Sequence, residues 1–368
     1  AILIYAPQVA HLWGKPYFYK YKMIKRILYT LLIMFPVVAS AQINTDRVMA
    51  IGRNALYFED YVLSIQYFNQ VINAKPYLSD PYFYRGLAKI NLDDFQGAES
   101  DCSEAIERNP FVVSAYQVRG LARIQQNNFA GAIEDYTKAL EFDPENIGVW
   151  HNMALCRIRQ EDYKGAKNDL DKLIAISPRY TKAYLMRGEV DLKQKETLAA
   201  EKDFGKAIEI DRYDADTWAS RAILRLQQQR YKDAEADFDH AIRLSTRNSG
   251  VYINRALARY HQNNLRGAMS DYDIALDIDP NNFIGHYNRG LLRAQVGDDN
   301  RAIQDFNFVI EMEPDNMMAI FNRGLLLDQT GDYKGAIKDY STVINEYPNF
   351  LLGYQYRAQA RRKIGDVK

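Results

Sequence analysis

The sequence is poor in cysteine, has no net charge and contains no long apolar run, and each absence excludes something. Two Cys in 368 residues rule out a small disulfide-built fold. Equal numbers of basic and acidic residues, 47 of each, offer no basic surface for nucleic acid and no acidic tail. The most apolar block, Ile27 to Val38, is shorter than the roughly 20 residues needed to cross a bilayer and contains Pro36. Five histidines, His11, His151, His240, His261 and His286, lack metal-ligand spacing, and no glycine-rich phosphate loop occurs. Asp277, Asp279 and Asn281 imitate a calcium loop, but Asn282 stands where the turn glycine belongs and Asn288 where the closing glutamate belongs. No catalytic residue, metal site or cofactor is therefore expected, and Cys102 and Cys156 read as buried free thiols.

What is present begins with a strongly uneven front end. Residues 1–41 hold Lys15, Lys20, Lys22, Lys25 and Arg26 and no acid, which leaves 42 bases against 47 acids in the remainder. From Met23 the order is basic, apolar, then small, ending in Ala39, Ser40 and Ala41. That order makes residues 23–41 a secretory signal peptide, with cleavage expected between Ala41 and Gln42 and export to the periplasm, the medium or the cell surface. Without a cysteine after the small residues, a bacterial lipid anchor is not supported. Residues 1–22 precede a whole signal and read as an upstream or fragment segment outside the fold. Residues 42–368 carry the fold.

Those residues repeat. Pro76, Pro110, Pro144, Pro178, Pro280, Pro314 and Pro348 lie on one 34-residue grid, with Arg212 and Thr246 at the two other points. Small residues recur 24 before each point (Gly52, Gly86, Gly120, Ala154 onward) and 12 before it (Ser64, Ala98, Ala132, Ala166 onward). An aromatic usually follows the second small residue by four, as in Phe68, Tyr136, Phe204, Phe238, Tyr272, Phe306 and Tyr340. Small residues let two antiparallel helices approach, the aromatic fills the volume beside them, and proline ends the pair. Repeats start near residues 45, 79, 113, 147, 181, 215, 249, 283, 317 and 351, so there are nine and a partial tenth; positions below are counted from these starts.

This pattern resembles the tetratricopeptide repeat family over residues 45–368, with residues 113–146 a good specimen. The resemblance implies an all-α, right-handed solenoid of antiparallel helix pairs, in which each repeat buries its apolar face only against neighbours. Repeat 5, with Thr197 and Arg212 where an aromatic and proline are usual, is expected to be the weakest. The tenth repeat ends soon after a Gly365-Asp366 turn signal, as either a terminal cap solvated by Arg357, Arg361, Arg362 and Lys363 or, the reading favoured here, a truncated pair.

Against the family pattern, three columns are charged. Position 7 holds Arg85, Arg119, Arg187, Arg221, Arg255, Arg289, Arg323 and Arg357, with Met153 the exception. Position 11 holds Lys89, Arg123, Arg157, Arg225, Arg259, Arg293 and Arg361, broken by Asp191 and Leu327. Position 23 is Asp101, Asp135, Asp169, Asp203, Asp237, Asp271, Asp305 and Asp339. Positions 7 and 11 share a helix face, and a carboxylate opposite suits guanidinium forks. Repeat 1 loses all three together, as Ile51, Ala55 and Tyr67, so the columns read as partners in a structural ladder between helices rather than a row of reacting groups.

The groove of the resembling family is lined by first-helix positions 2, 5, 9, 12 and 13. Position 13 here is polar: Asn91, Gln125, Arg159, Lys193, Gln227, His261, Gln295, Gln329 and Lys363. Position 5 includes His151, Tyr287 and Phe321, and position 9 is largely Leu or Ile. An apolar floor with amide and aromatic edges suits an extended peptide. The family's clamp for a terminal carboxylate needs Lys at position 5 and Asn at position 9, and neither occurs; Asn152, Asn254, Asn288 and Asn322 at position 6 match one part only. The expectation is a non-catalytic scaffold of the bacterial envelope that binds a protein or peptide, with no nucleic acid and no membrane span after signal removal. The rivals are a regulatory arm of an enzyme continuing past Lys368 and a glycan-capture surface using Tyr287 and Phe321.

Overall fold

The computed structural model describes residues 44–245 and 247–366; the signal segment, its cleavage site and residues 1–22 lie outside the described residues. Among the described residues there are nineteen helices and no strand. First helices of successive repeats are α1 (Thr45–Tyr57), α3 (Asp80–Ile90), α5 (Val113–Gln125), α7 (Ile147–Arg159), α9 (Thr181–Lys193), α11 (Ala215–Gln227), α13 (Ser249–His261), α15 (Phe283–Gln295), α17 (Met317–Thr330) and α19 (Leu351–Lys363). Second helices are α2 (Tyr61–Ala74), α4 (Phe95–Arg108), α6 (Phe129–Phe142), α8 (Tyr163–Ile176), α10 (Thr197–Ile210), α12 (Tyr231–Leu244), α14 (Leu265–Ile278), α16 (Asp299–Met312) and α18 (Tyr333–Glu346).

The turn inside each pair has a fixed chemistry. The residue at position 15 is left-handed, from Glu59 (φ 61°) to Asn263 (φ 62°) and then at Gly297, Gly331 and Gly365. The next residue caps the second helix: Asp60, Asp94, Asn128, Asp162, Asn264 and Asp332 each accept from a backbone N–H three residues on. Glu196 and Arg230 stand at that place in repeats 5 and 6 and make no such bond.

The small positions act as sites of close approach. Ala98, Ala132, Ala166, Ala200, Ala234, Ala268, Ala302 and Ala336 are all fully buried, and so are the position-24 side chains from Phe68 to Tyr340, with Cys102 and Leu170 taking the aromatic place. A Cβ at Gly120 would lie 2.8 Å from the Tyr136 ring, so that ring lies where a larger residue would intrude.

The chain divides into two compact units, one ending at Val190 and the other running from Asp191 to Lys368. In each, cores form between repeats as much as within them: Ile72, Tyr82, Ala105 and Ala115 join four helices in the first unit, and Tyr287, Phe306, Val309 and Ala319 join three in the second. First helices also touch first helices, α1 with α3 and α3 with α5 in one unit, α11 with α13, α15 with α17 and α17 with α19 in the other. Neighbouring second helices show no comparable packing. First helices therefore lie on the inner side of each stack.

Candidate functional site

In repeats 2, 3, 6, 7 and 8, where positions 7 and 11 are both basic, one buried carboxylate of the second helix receives both. Arg85 donates from Nε and Nη2 to Asp101 at 2.8 and 2.5 Å, and Lys89 Nζ lies 2.8 Å from the same group. Arg119 and Arg123 share Asp135, Arg221 and Arg225 share Asp237, Arg255 and Arg259 share Asp271, and Arg289 and Arg293 share Asp305, with donor distances of 2.6–3.1 Å. In repeat 9, where position 11 is Leu327, Arg323 alone forks onto Asp339 at 2.8 and 2.7 Å. The acids Asp101, Asp135, Asp237, Asp271, Asp305 and Asp339 are at most 3 % exposed, and Asp203 on α10 is buried too.

The rungs also reach backward, which the three columns alone did not reveal. The remaining guanidinium nitrogen of position 7 donates to position 25 of the preceding repeat: Arg85 to Asn69, Arg119 to Ser103, Arg255 to Asp239, Arg289 to Asp273 and Arg323 to Asn307. Position 11 reaches position 21 behind it, as Arg123 to Glu99, Arg225 to Glu201 and Arg259 to Glu235. Each rung thus ties one helix pair closed and fastens it to its predecessor. The signal was available in the sequence as a polar column at position 25, interrupted by Gly205.

Electrostatics vary along the ladder. Burial pushes the Asp135 carboxyl up, against the pull of Arg119 and Arg123. At Asp305 burial acts the same way, but hydrogen bonds from His286 and Arg289 and the charges of Arg289 and Arg293 outweigh it and hold the group below its ordinary range. Repeat 4 lacks the position-7 base. Met153 replaces the position-7 base, its sulfur 4.0 Å from Thr137 Oγ1, and Arg157 Nε approaches Asp169 to 2.7 Å without hydrogen-bond alignment. Burial pushes the Asp169 carboxyl up to about 6, which Arg157 opposes only in part.

A second recurring contact involves the ring at position 4. Trp150 Nε1 donates to the Pro144 carbonyl at 2.8 Å, Trp218 Nε1 to the Arg212 carbonyl at 3.0 Å and Tyr184 Oη to the Pro178 carbonyl at 3.1 Å. His286, at the same position of repeat 8, places Nε2 3.0 Å from the Pro280 carbonyl, stacks on Phe308 at 4.0 Å and reaches Asp305 through Nδ1 at 3.0 Å. Repeat 9 has Ile320 at this position, whereas at these four places a flat ring with a polar tip meets the carbonyl. Because a carbonyl receives it, Arg212 can stand in for proline.

On the inner face, position 13 closes each first helix, as its last or penultimate residue or, at Asn91, its C-cap. Asn91, Gln125, Arg159, Lys193, Gln227, His261, Gln295 and Gln329 are all exposed. His261 lies flat on Tyr231, ring centroids 4.6 Å apart, and burial pushes its pKa down. His151 is half-buried, near Tyr180 Oη at 3.3 Å, and burial followed by the charge of Lys182 pushes its pKa down. Tyr287 corrects the sequence reading. It is 1 % exposed, its ring meets Phe306 edge-on at 5.8 Å and its hydroxyl accepts from Asn322, so it belongs to the core and not to a groove lining. Ile253, the equivalent residue one repeat earlier, is buried as well. Phe321 is half-buried among Tyr340, Phe350 and Tyr356. Asn282 caps α15, donates to Asp279 and thereby closes the turn that imitated a calcium loop. Among the described residues no cluster of His, Cys, Asp and Glu could hold a metal, and no helix is long and apolar enough to cross a membrane.

Sequence models of the tetratricopeptide repeat match residues 120–156, 147–180, 220–283 and 287–349. Among solved structures, a tetratricopeptide repeat protein from Parabacteroides merdae is similar at 21 % identity and a TM-score of 0.54, over 68 % of this chain and 98 % of that one. The C-terminal part of a TPR repeat-containing protein from Cytophaga hutchinsonii aligns at 17 % identity, TM-score 0.53, over 64 % and 97 %. A chain of the Cut9–Hcn1 hetero-tetramer of the APC/C aligns at 13 % identity, TM-score 0.54, over 79 % and 57 %. Identities this low speak for the fold alone, and no curated protein matches the sequence. With the 34-residue register, the helix pairs and the family models in agreement, the chain belongs to the tetratricopeptide repeat family.

Proposed function

We propose that this protein is a non-catalytic scaffold of the bacterial cell envelope, exported by residues 23–41, that binds a polypeptide along the inner, first-helix face. The observation that carries the reading is the contrast between the two sets of polar groups. In complete rungs such as Arg255, Arg259 and Asp271 the ladder residues saturate one another, while Gln227, His261, Gln295 and Gln329 recur once per repeat, exposed, at the inner ends of first helices. Beside them Leu291 and Leu325 are half-buried and Met318 is 51 % exposed, giving apolar area between amide donors and acceptors. Helices held by rungs present those groups with little conformational entropy left to lose on binding. A fold similar to a chain from a hetero-tetramer is consistent with work in an assembly. The glycan reading loses its basis, since one of its two aromatics is buried and the other is enclosed by three rings.

The test is crosslinking capture from the native envelope with residues 42–368 as bait. Wild type is expected to capture one saturable protein species, and a Gln227→Ala, His261→Ala, Gln295→Ala triple variant at least fivefold less. Equal capture by both overturns the groove assignment.

A further inference from the structure

We infer that the turn between repeats 2 and 3, with Phe142 beside it, is a docking site for an arginine of a protein partner, carried in a segment that alternates arginine with apolar residues. The site is independent of the inner face. At neighbouring turns the molecule meets one backbone carbonyl with its own side chains, and here it leaves that carbonyl open. The carbonyl at position 32, which Trp150, Tyr184, Trp218 and His286 meet at four turns, is met at Pro76 by Arg108. Among the described residues no donor reaches the Pro110 carbonyl.

Arg108 shows what such a turn accepts. Its Nε donates to the Pro76 carbonyl at 2.6 Å, its Nη1 donates to Glu104 at 2.6 Å, and its guanidinium lies 4.1 Å from the centre of the Tyr82 ring. One repeat on, Phe142 stands in the place of Arg108, and its ring meets Phe111 edge-on at 6.0 Å. Phe111 is 74 % exposed and Phe142 45 %, so the pair offers ring surface beside an unused acceptor. The turn is already formed, because the Phe111 N–H donates to Asn109 Oδ1 at 3.1 Å. Pro314 also lacks a side-chain donor, with Ile320 at the ring position, but no aromatic pair stands beside it.

The charge around the pair selects a cation. Glu107, Asp143 and Glu145 are exposed, and among the described residues none of them is held in an ion pair. Glu107 and Asp143 stand at the C-terminal ends of α4 and α6, where a carboxylate adds to the negative end of the helix dipole instead of offsetting it. Arg108, the base nearest in sequence, is engaged at the preceding turn. A guanidinium answers all three features, being flat against a phenyl face, forked toward a carboxylate and able to donate to the carbonyl. Ile147, exposed on the next turn, extends the apolar area for the residues flanking that arginine.

The experiment titrates the protein, at low ionic strength, into a fluorescein-labelled heptapeptide of alternating arginine and leucine. A saturable rise in anisotropy is expected. It should weaken at least tenfold when citrulline replaces arginine in the peptide and at least threefold when lysine does. In the protein, Phe111→Ala and Phe142→Arg should each cost at least tenfold while keeping the far-UV melt of wild type; the second change supplies from within the cation that Arg108 supplies one turn earlier. The Gln227→Ala, His261→Ala, Gln295→Ala variant should bind as wild type does. Absence of saturation overturns the inference, as does equal binding of either substituted peptide or by either Phe variant. Loss of binding in the triple variant assigns the peptide to the inner face and overturns it too.

Discussion

Repeats 4 and 7 share a backbone plan, and of the three ladder residues each supplies they differ in one, Met153 for Arg255; behind them Thr137 and Ile133 stand where repeat 7 meets Asp239 and Glu235. In repeat 7, Arg255 and Arg259 enclose Asp271, and their free nitrogens go back to Asp239 and Glu235 of repeat 6. In repeat 4, Met153 removes one base, and Asp169 keeps a single, poorly aligned neighbour. The same buried aspartate is a tie in one place and a burden in the other, because taking a carboxylate out of water is offset only when its lone pairs are met by well-placed donors.

Breaking the complete rung should have the largest effect. Asp271→Ala leaves two partly buried guanidiniums facing each other, and about 3 kcal/mol of local stability is expected to disappear, measured by hydrogen exchange of α13 and α14 amides. Mending the broken rung comes next. A folded pKa of about 6 lies above the ordinary carboxylate value of 3.8, so protonated Asp169 favours the fold at low pH, and that contribution is lost as pH rises from about 4 through about 6. With solvent screening the loss is about 1–2 kcal/mol. Met153→Arg should flatten this fall in a urea titration repeated between pH 4 and 7; an unaltered slope would show that Asp169 is not its source. The smallest expected effect concerns the turn. Gln229 sits at φ 61°, and Gln229→Gly should raise stability by up to about 1 kcal/mol, seen as a small upward shift in Tm.

The helix pairs were legible because a 34-residue register leaves small, aromatic and proline residues at places where only those shapes pack. The Asp partners of the arginines were legible for a related reason, since repeat 1 drops all three groups together. Contacts that cross from one repeat to the previous one were harder to see. Asn69, Ser103, Asp239 and Asn307 have little in common except an oxygen able to accept, so the column is visible only once Arg85, Arg119, Arg255 and Arg323 are seen pointing at it. Tyr287 was misread because position within a repeat specifies the face of the helix and not what covers it; Asn322 and Phe306 close over it. His286, read in the sequence as a histidine without metal-ligand spacing, shares the carbonyl contact of Trp150, Tyr184 and Trp218.

The central claim is that an aspartate in this ladder stabilises only where well-placed guanidinium or ammonium donors meet its oxygens. Native-state hydrogen exchange at pH 7 on Asp271→Asn and Asp169→Asn tests it most directly, since each change removes charge and keeps shape. The account predicts opposite outcomes: faster opening of α13 and α14 for Asp271→Asn, and unchanged or slower opening of α7 and α8 for Asp169→Asn. Equal destabilisation by the two would contradict it.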